Sequence, residues 1–467
     1  MPTVPLFGLS QSGKSRAVTS QGHINLYAEI IDDPEKSRVV YYNTPGLALF
    51  TSFGDTPVRG WIAAGDYFYA VHRGTLWQVN NAGVKVNIGT LNTTTGRVDM
   101  AYSGTQIGIT DGLNMYCLTS GVGFAQVASG LYSNPSSITF QDGYFIVTFG
   151  DGDERYQISG IYDGTTFDAL DFASAESNPD GIVRVVADHG ELVLLGKQTI
   201  EFASNTGGQD FPYETLKGAT QEFGLAAKWS LVKYNDSLAG LFKNRMGQVQ
   251  VMVMVGHAMK EISTPEMSSL INGYATVSDA TGYAYLLGGH PMYVINFPSA
   301  GKTWLYDSLT NLWSSLESGL LGGRHRAEIH LDYLNKPRVS DYENGNIYTL
   351  DSTVYADNGE ARPVEITGRH VFTSGFRLAI SHLQIFFEAG TGLATGQGEN
   401  PQACLCVSRD GGFTWGNEMW RSIGAIGSYL ARAMWNRLGQ SRDFIFRVRV
   451  TDPVKVVITG ASMDVSK

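Results

Sequence analysis

A short pattern recurs along the first two thirds of the chain: a turn containing Gly or Asp is followed at once by an apolar, strand-like run. A second apolar run is readable after several copies, as in "GTLWQVN" and "HPMYVINF". The six copies are marked by Gly65, Gly104, Gly143, Gly190, Asp236 and Gly282, at spacings of 39, 39, 47, 46 and 46 residues. Four-stranded propeller blades repeat every 40–50 residues or so. The spacing therefore predicts a β-propeller-like core of roughly six irregular blades, with a β-sandwich of evenly spaced hairpins as the alternative.

Composition supports an all-β chain. The 467 residues include 55 Gly, 23 Tyr and 22 Phe, which favour short strands joined by tight turns. One helix is predicted in "STPEMSSLIN", where Thr264 is suited to the N-cap, Pro265 to the first helical position and Glu266 to the first turn.

After about Ala361 the rhythm changes to longer strands with strict alternation. In "FIFRVRV", Phe446 and Arg447 belong to alternating apolar and charged positions, which is typical of a sheet with one buried face. We therefore expect three regions, which are an extended N-terminal arm with the first strands (1–60), a β-propeller-like domain (61–360) and a C-terminal antiparallel β-sandwich (361–467).

Charge and cysteine content exclude several classes of protein. The formal net charge of −10 argues against a broad basic surface that grips nucleic acid, but it is compatible with a channel through which DNA merely passes. The three cysteines, Cys117, Cys404 and Cys406, form neither a disulfide framework nor a zinc ligand set, and we expect them to be small core residues. The sequence shows no signal peptide and no membrane-spanning run, so we expect synthesis in the cytoplasm without membrane insertion by this chain.

The segment "GLSQSGKS" matches the phosphate-binding P-loop pattern through Gly8, Gly13, Lys14 and Ser15. A working P-loop needs a buried parallel strand before it and a helix after it. The preceding "PTVPLF" contains two prolines and the following "RAVTSQG" is poor helix material. The sequence therefore favours an extended arm over a nucleotide site.

"SRDGGFTW", residues 408–415, fits the Asp-box pattern, in which an aspartate closes a hairpin turn. Such boxes are structural and do not indicate catalysis. A sialidase-like hydrolase would need an arginine cluster, an acid and a nucleophile. The available candidates are more simply interpreted as polar loops, and neither they nor the histidines have the spacing of a metal site. The candidates weighed are Arg324, Arg326 and Glu328, Asp151, Asp153 and Glu154, and His325 with His330.

Six arginines near the end form the one local basic region, interleaved with Trp420 and Trp435. A phosphate-contact surface is one interpretation. A solvated sheet face or a subunit contact agrees better with the negative total charge. The six are Arg421, Arg432, Arg437, Arg442, Arg447 and Arg449.

Several stretches together resemble the packaged-DNA stabilisation proteins of short-tailed bacteriophages, which form the tail hub or nozzle. The most specific part lies in residues 167–207, where an "AES-x-PDGI" segment (175–182) leads to a "TIE-[FY]" strand (199–202). The resemblance extends over most of the chain, and the order of its motifs carries it. The other motifs are "INLYAE" (24–29), "NTPGL" (43–47), "VRGW" (58–61), "KTWLYDSLTNLW" (302–313) and the tail "SRDGGFTW…VKVVITGASMD".

The resemblance implies a β-propeller with an appended β-sandwich. It also implies a homo-hexamer in the virion tail, below the portal and a tail adaptor ring. This hub closes the DNA channel after packaging, carries tail spikes or fibres, meets a needle or plug protein, and lets genomic DNA pass on ejection. The resemblance supplies no catalytic, cofactor or metal residues, so none is assigned. The alternatives are a sialidase-like glycoside hydrolase and a glycan-binding tail adhesin on a propeller.

Overall fold

The structure is a computed structural model that describes residues 3–8, 21–31, 38–128, 130–132, 134–150, 152–175, 180–208, 211–373 and 375–466. Its chain contacts form two compact units. The propeller unit comprises Leu49–Tyr285 and Ala327–Tyr348, and the sandwich unit comprises Met1–Ala48, Leu286–Arg326 and Thr349–Lys467. The three continuous domains expected from the sequence stay a prediction.

The propeller unit is built from four-stranded antiparallel sheets that follow one another along the chain. The first contains Val58–Ala64, Tyr67–His72, Thr75–Val79 and Lys85–Thr90; the second Asp99–Tyr102, Gln106–Thr110, Met115–Thr119 and Gly123–Gln126; the third Pro135–Gln141, Tyr144–Phe149, Arg155–Gly160 and Asp163–Ser174; the fourth Ile182–Asp188, Glu191–Gly196, Ile200–Asn205 and Tyr213–Thr215. The fifth contains Phe223–Leu225, Leu238–Asn244, Val249–Val255 and Ala258–Glu261, with Val232–Lys233 paired to its second strand. Thr281–Leu287 follows, and another sheet has the order Ala327–Tyr333, Lys336–Asp341, Asn346–Asp351 and Gly46–Ser52.

Turn geometry explains why the repeat was legible in the sequence. The markers Gly65, Gly104, Gly143 and Gly190 have φ between 60° and 97°, and Asp236 has φ 60°. Residues with a Cβ rarely adopt this backbone conformation, which explains why Gly or Asp stands where each of these hairpins turns. The sixth marker is different, because Gly282 lies inside the strand Thr281–Leu287 and does not form a turn.

The predicted helix is confirmed. It spans Pro265–Ile271, and the Thr264 side chain accepts a hydrogen bond from the Met267 amide at its N-terminus. A 3₁₀ helix at Lys228–Ser230 is the other helical element among the described residues. The predicted alternation in "FIFRVRV" is also confirmed, since Phe446 is buried and Arg447 is partly exposed.

The sandwich unit has two sheets, and strands from both ends of the chain build each of them. One has the order Leu26–Ile30, Val39–Asn43, Val457–Ser466, Leu378–Phe387 and Ala433–Ser441, with Thr3–Val4 paired to Val457–Ser466. The other contains His290–Phe297, Lys302–Asp307, Leu312–Ser315, Gly22–Ile24, Val364–Thr367, Asp443–Val450, Gln402–Ser408 and Met419–Ser422, with Val371–Phe372 paired to Asp443–Val450. The sequence analysis did not anticipate the N-terminal strands in this sandwich.

Asn25 lies where the chain leaves one sandwich sheet for the other, between Gly22–Ile24 and Leu26–Ile30. It is fully buried and has φ 55°. Its Nδ2 donates to the carbonyls of Glu317 (2.8 Å) and Pro363 (2.7 Å), and its Oδ1 accepts from the Glu317 amide (3.0 Å). Asparagine tolerates the left-handed region better than most residues, so this side chain both permits the bend and joins three segments. This gives the "INLYAE" motif a structural reason.

Candidate functional site

The first strands of several propeller sheets, with the segment 229–233, line a cavity of about 310 Å³. Because its walls come from different sheets around the unit, the cavity lies where the blades converge. We call it the axial cavity. Residues that line it include Gly60, Arg97, Arg184, Trp229, Tyr283 and His330.

Three cations surround one aromatic ring in this region. The guanidinium carbons of Arg97 and Arg184 lie 4.6 and 5.4 Å from the centre of the Trp229 ring, and Nζ of Lys228 lies 4.8 Å from it. Cations are attracted to the negative face of an indole within about 6 Å. The 3₁₀ helix Lys228–Ser230 places Lys228 and Trp229 here, so a short irregular element provides the centre of the cluster.

One carboxylate is directly tied to the cluster. Asp99 is buried, and its Oδ1 lies 3.6 Å from Nη2 of Arg184 while its Oδ2 accepts from the Ser137 hydroxyl at 2.8 Å. Nη1 of Arg184 donates to the Leu231 carbonyl at 2.8 Å, and Nζ of Lys228 donates to the Ser136 carbonyl at 2.6 Å. The cations are therefore held by the framework in fixed positions.

The crowding of cations affects their protonation. Burial lowers the pKa of Lys228 to about 8; Asp99 opposes this shift, and Arg184 and Arg97 add to it. Burial also lowers the pKa of Arg97 to about 10, against the opposing charge of Glu328, while Arg184 lowers it further. Burial is the main cause of both shifts, and the neighbouring cations add to it.

This cluster was not predicted from the sequence. Arg97, Arg184 and Lys228 belong to no motif, and they come together because the sheets close around a common axis. A usable signal was present for two of them, since Arg97 lies just before the first strand of its sheet, in "GRVD", and Arg184 lies within the first strand of its sheet, in "IVRVV". Alignment of basic residues to the repeat could have grouped them.

The hydrolase candidates from the sequence are distributed over two units. Arg324 and Arg326 belong to the sandwich unit and Glu328 belongs to the propeller unit. Nη2 of Arg326 lies 3.0 Å from Glu360, which gives it an ion-pair partner. The feature expected of a sialidase-like site is three arginines with an acid at one propeller mouth. The axial cavity instead has two arginines, a lysine and Asp99.

The remaining polar candidates have structural partners. His325 is buried and its amide donates to the Thr303 hydroxyl at 2.9 Å, while the His330 ring lies against Tyr283 with centroids 6.2 Å apart. Asp153 forms a two-point contact with Arg155 at 2.5–2.9 Å.

The other candidates from the sequence are four residues outside the described ranges and Glu154. Asp151 and the P-loop residues Gly13, Lys14 and Ser15 lie outside the described residues. The backbone of Glu154 accepts from the Ala175 amide at 3.0 Å, which is a strand-edge contact.

The Asp-box folds as a hairpin loop between Gln402–Ser408 and Met419–Ser422. Asp410 accepts hydrogen bonds from the Thr414 hydroxyl (2.5 Å) and from the amides of Phe413 and Thr414 (3.0 and 2.9 Å). The Thr414 hydroxyl is the main reason that the pKa of Asp410 is lowered to about 2. Trp415 lies under the Arg447 guanidinium, with 3.7 Å between the ring centre and the guanidinium carbon. The motif therefore acts as a turn device.

The C-terminal arginines do not form one surface cluster. Arg449 and Arg447 contact the buried carboxylate of Glu365 at 2.7 and 3.4 Å, across neighbouring strands. Arg421 donates to the carbonyls of Met434 and Trp420. These three side chains form contacts within the sandwich unit, whereas the roles of Arg432, Arg437 and Arg442 stay a prediction.

Within the described ranges, one group of three side chains could hold a metal ion. Sγ of Cys404, Sγ of Cys406 and a carboxylate oxygen of Glu418 lie within 4.8 Å of one another. Cys404 and Cys117 are buried, as expected of core residues, but Cys406 is partly exposed. Searching the described residues finds no helix long and apolar enough to cross a membrane.

The chain is 23% identical over 306 residues to the tail hub protein gp10 of Salmonella phage P22, an alignment that covers 62% of this chain and 61% of that protein, less than two thirds of its length. Solved structures that are similar include the Pan2 WD40 domain of Neurospora crassa (7% identity, TM-score 0.43, 66% of this chain and 96% of that one) and the coronin WD40 domain of Toxoplasma gondii (11%, 0.40, 74% and 87%). Likeness at this level supports no conclusion on function.

Two family models match in succession. The model described as bacteriophage P22 Gp10, beta-propeller, matches residues 3–355, and the one described as bacteriophage P22 Gp10, beta-sandwich, matches residues 364–466. The predicted all-β fold, a propeller with a C-terminal sandwich, is therefore confirmed. The two matches account for nearly the whole length, and the chain belongs to the bacteriophage P22 Gp10 family.

Proposed function

We propose that this chain is a structural subunit of a phage tail hub, a hexameric nozzle that closes the DNA channel after packaging and conducts DNA on ejection. In this proposal it is made in the bacterial cytoplasm and assembled into the virion. Its partners are five further copies of itself, the adaptor ring below the portal, spikes or fibres, and a needle or plug. DNA is a partner in transit only.

The observation that carries the proposal is the succession of the two family matches, propeller then sandwich, over residues 3–355 and 364–466. A shared order of two domains is stronger support than a shared propeller, because propellers host many unrelated functions. The name of the P22 relative supplies the tail hub role.

The charge of the chain agrees with a conducting channel. The formal net charge is −10, and an acidic wall repels phosphate, so DNA would slide without adhering. A map of the assembled ring with a strongly basic lumen would contradict this part of the proposal.

We also propose that the chain is not an enzyme. The polar candidates in the sequence have structural partners, as in the Asp410 hairpin and the Arg326–Glu360 pair. An assay of the purified chain on model sialosides and on host surface glycan tests this directly. Release of reducing sugar, lost in a variant of Asp99, would favour the hydrolase alternative.

The decisive experiment is electron microscopy of the purified chain with and without the adaptor of the same phage. We expect six-fold rings with an axial hole that dock onto the adaptor. A persistent monomer that binds host glycan and ignores the adaptor would favour the adhesin alternative.

One loop of the sandwich unit is a good first target for mutation. Ile426, Tyr429 and Leu430 are 65%, 75% and 93% exposed within five residues, and grouped exposed apolar side chains are typical of interaction surfaces. We expect Leu430→Ser to reduce the ring fraction by mass photometry. Met246→Ser is the control, because Met246 is equally exposed (87%) but lies apart in the sequence on a propeller hairpin. Equal ring fractions in both variants would exclude this loop from the subunit contact.

A further inference from the structure

Two arginines that line the axial cavity have hydrogen-bond donors that the protein does not use. Nε and Nη1 of Arg97 and Nε of Arg184 are buried and have no hydrogen-bond partner among the described residues. A buried donor without an acceptor costs about 1–3 kcal/mol, and more when it is charged. Arg97 and Arg184 come from two different sheets and both line one cavity, so this cavity brings two guanidinium groups with incomplete hydrogen bonding to one position.

The charged side chains around the axial cavity indicate that a bound ligand would be an anion. Arg97, Arg184 and Lys228 share the Trp229 ring, and Asp99 contacts Arg184 directly. Glu328 acts on Arg97 as a second negative charge. Even with both carboxylates counted, positive charge is in excess. The indole ring attracts cations, but it accepts no hydrogen bond from a guanidinium edge as a carboxylate or phosphate does.

We propose that the axial cavity binds a small phosphate-bearing solute, through its phosphate oxygens, between Arg97 and Arg184, with Lys228 adding positive charge nearby. Tetrahedral phosphate offers several acceptor oxygens at once, and guanidinium groups are well matched to them. A volume of about 310 Å³ is at the lower end of the range for ligand pockets, so the cavity suits a free phosphate or a small organic phosphate and excludes a polymer. This inference concerns one subunit and does not depend on the hub role.

The cavity is built before any ligand arrives. Arg184 is held by the Leu231 carbonyl and Lys228 by the Ser136 carbonyl, at 2.8 and 2.6 Å. Preorganised cations bind an anion without a further ordering cost. Binding should therefore be accompanied by little structural change and by a clear increase in thermal stability.

The test is isothermal titration of the full chain, dialysed into phosphate-free chloride buffer, with inorganic phosphate. We expect one saturable site per chain and a higher melting temperature. Arg97→Gln should weaken binding at least tenfold. Arg245→Gln is the matched control, since Arg245 is an exposed arginine of the same unit whose partner is Glu222, and it should bind as the wild type does.

Parallel titrations define the ligand. Glycerol phosphate that binds more tightly than inorganic phosphate, or a copurified mass seen by native mass spectrometry, would identify an organic phosphate as the source. Acetate should bind weakly. Acetate binding as tight as phosphate binding would overturn the assignment of phosphate.

Two results would overturn the site itself. In the first, the folded wild type shows neither heat of binding nor thermal stabilisation at about 10 mM phosphate, which is roughly ten times a millimolar Kd. The other is unchanged affinity in Arg97→Gln. If Arg97→Gln does not fold by circular dichroism, Arg184→Gln serves in its place, because Arg184 lines the same cavity; unchanged affinity there counts equally against the proposal.

Discussion

Replacement of Asn25 tests whether one buried side chain holds the sandwich unit together. Asn25→Ala removes the two donated bonds to Glu317 and Pro363 and the bond accepted from the Glu317 amide. The lost bonds leave buried carbonyls and an amide without a partner, which costs about 3–5 kcal/mol in all. Alanine in the left-handed region at φ 55° adds about 1 kcal/mol.

Two further variants separate these contributions. Asn25→Gly lacks the side chain but tolerates the backbone, so it should be about 1 kcal/mol more stable than Asn25→Ala. Asn311→Ala is the control, because Asn311 has φ 56° but is exposed and forms one side-chain bond, with Tyr306. It should lose only about 1 kcal/mol from backbone strain.

Urea unfolding and amide hydrogen exchange report the outcome. The Glu317 amide, whose acceptor is removed, should exchange more than a hundredfold faster in Asn25→Ala, since about 1.4 kcal/mol corresponds to a factor of ten. The reasoning is refuted if Asn25→Ala unfolds within about 0.5 kcal/mol of the wild type with unchanged exchange at Glu317. Asn25→Gly as stable as the wild type would show that the three bonds contribute nothing.

Three other predictions follow from single groups. Thr264→Ala should destabilise the helix by about 1 kcal/mol while Thr264→Ser has little effect, as measured by hydrogen exchange of the Met267 amide. Burial, with the neighbouring Cys406, raises the pKa of Cys404 to about 12, so iodoacetamide should label Cys404 far more slowly at pH 8 in the native chain than in urea; equal rates would contradict this. The pKa of Asp410 lies at about 2, below its value near 3.9 in an unfolded chain, so the hairpin is fully stabilised above pH 4 and loses this contribution as the pH falls through 2. Pepsin cleavage beside Phe413 should therefore increase as the pH is lowered from 4 to 2. The Asp410→Ala variant should already be cleaved there at pH 4.

Local features of this fold were predictable from the sequence. The turns at Gly104 and Gly190, the Thr264 cap and the Asp410 hairpin each depend on residues within a few positions of one another. Their conformational preferences act before any tertiary contact forms. The repeat was visible for the same reason, because each blade needs its own turn.

Features that form only when distant strands pair or when the propeller closes were not predictable from the sequence. Gly22–Ile24 pairs with Leu312–Ser315 and Val364–Thr367, which lie roughly three hundred positions or more further along the chain. Nothing in these three residues indicates their partners. The axial cluster is similar, since Arg97 and Arg184 come from different sheets and meet only when the propeller forms. No local pattern encodes that meeting.

The interleaving of chain ends in the sandwich unit has a consequence for synthesis. Val457–Ser466 lies between Val39–Asn43 and Leu378–Phe387 in one sheet, so one edge of Val39–Asn43 stays unpaired until that late segment is made. Pairings of such long sequence separation form slowly, because a long loop must close first. A nascent chain therefore cannot complete its sandwich on the ribosome ahead of that strand. Truncated products would expose unpaired strand edges, and they would be cleared or would aggregate.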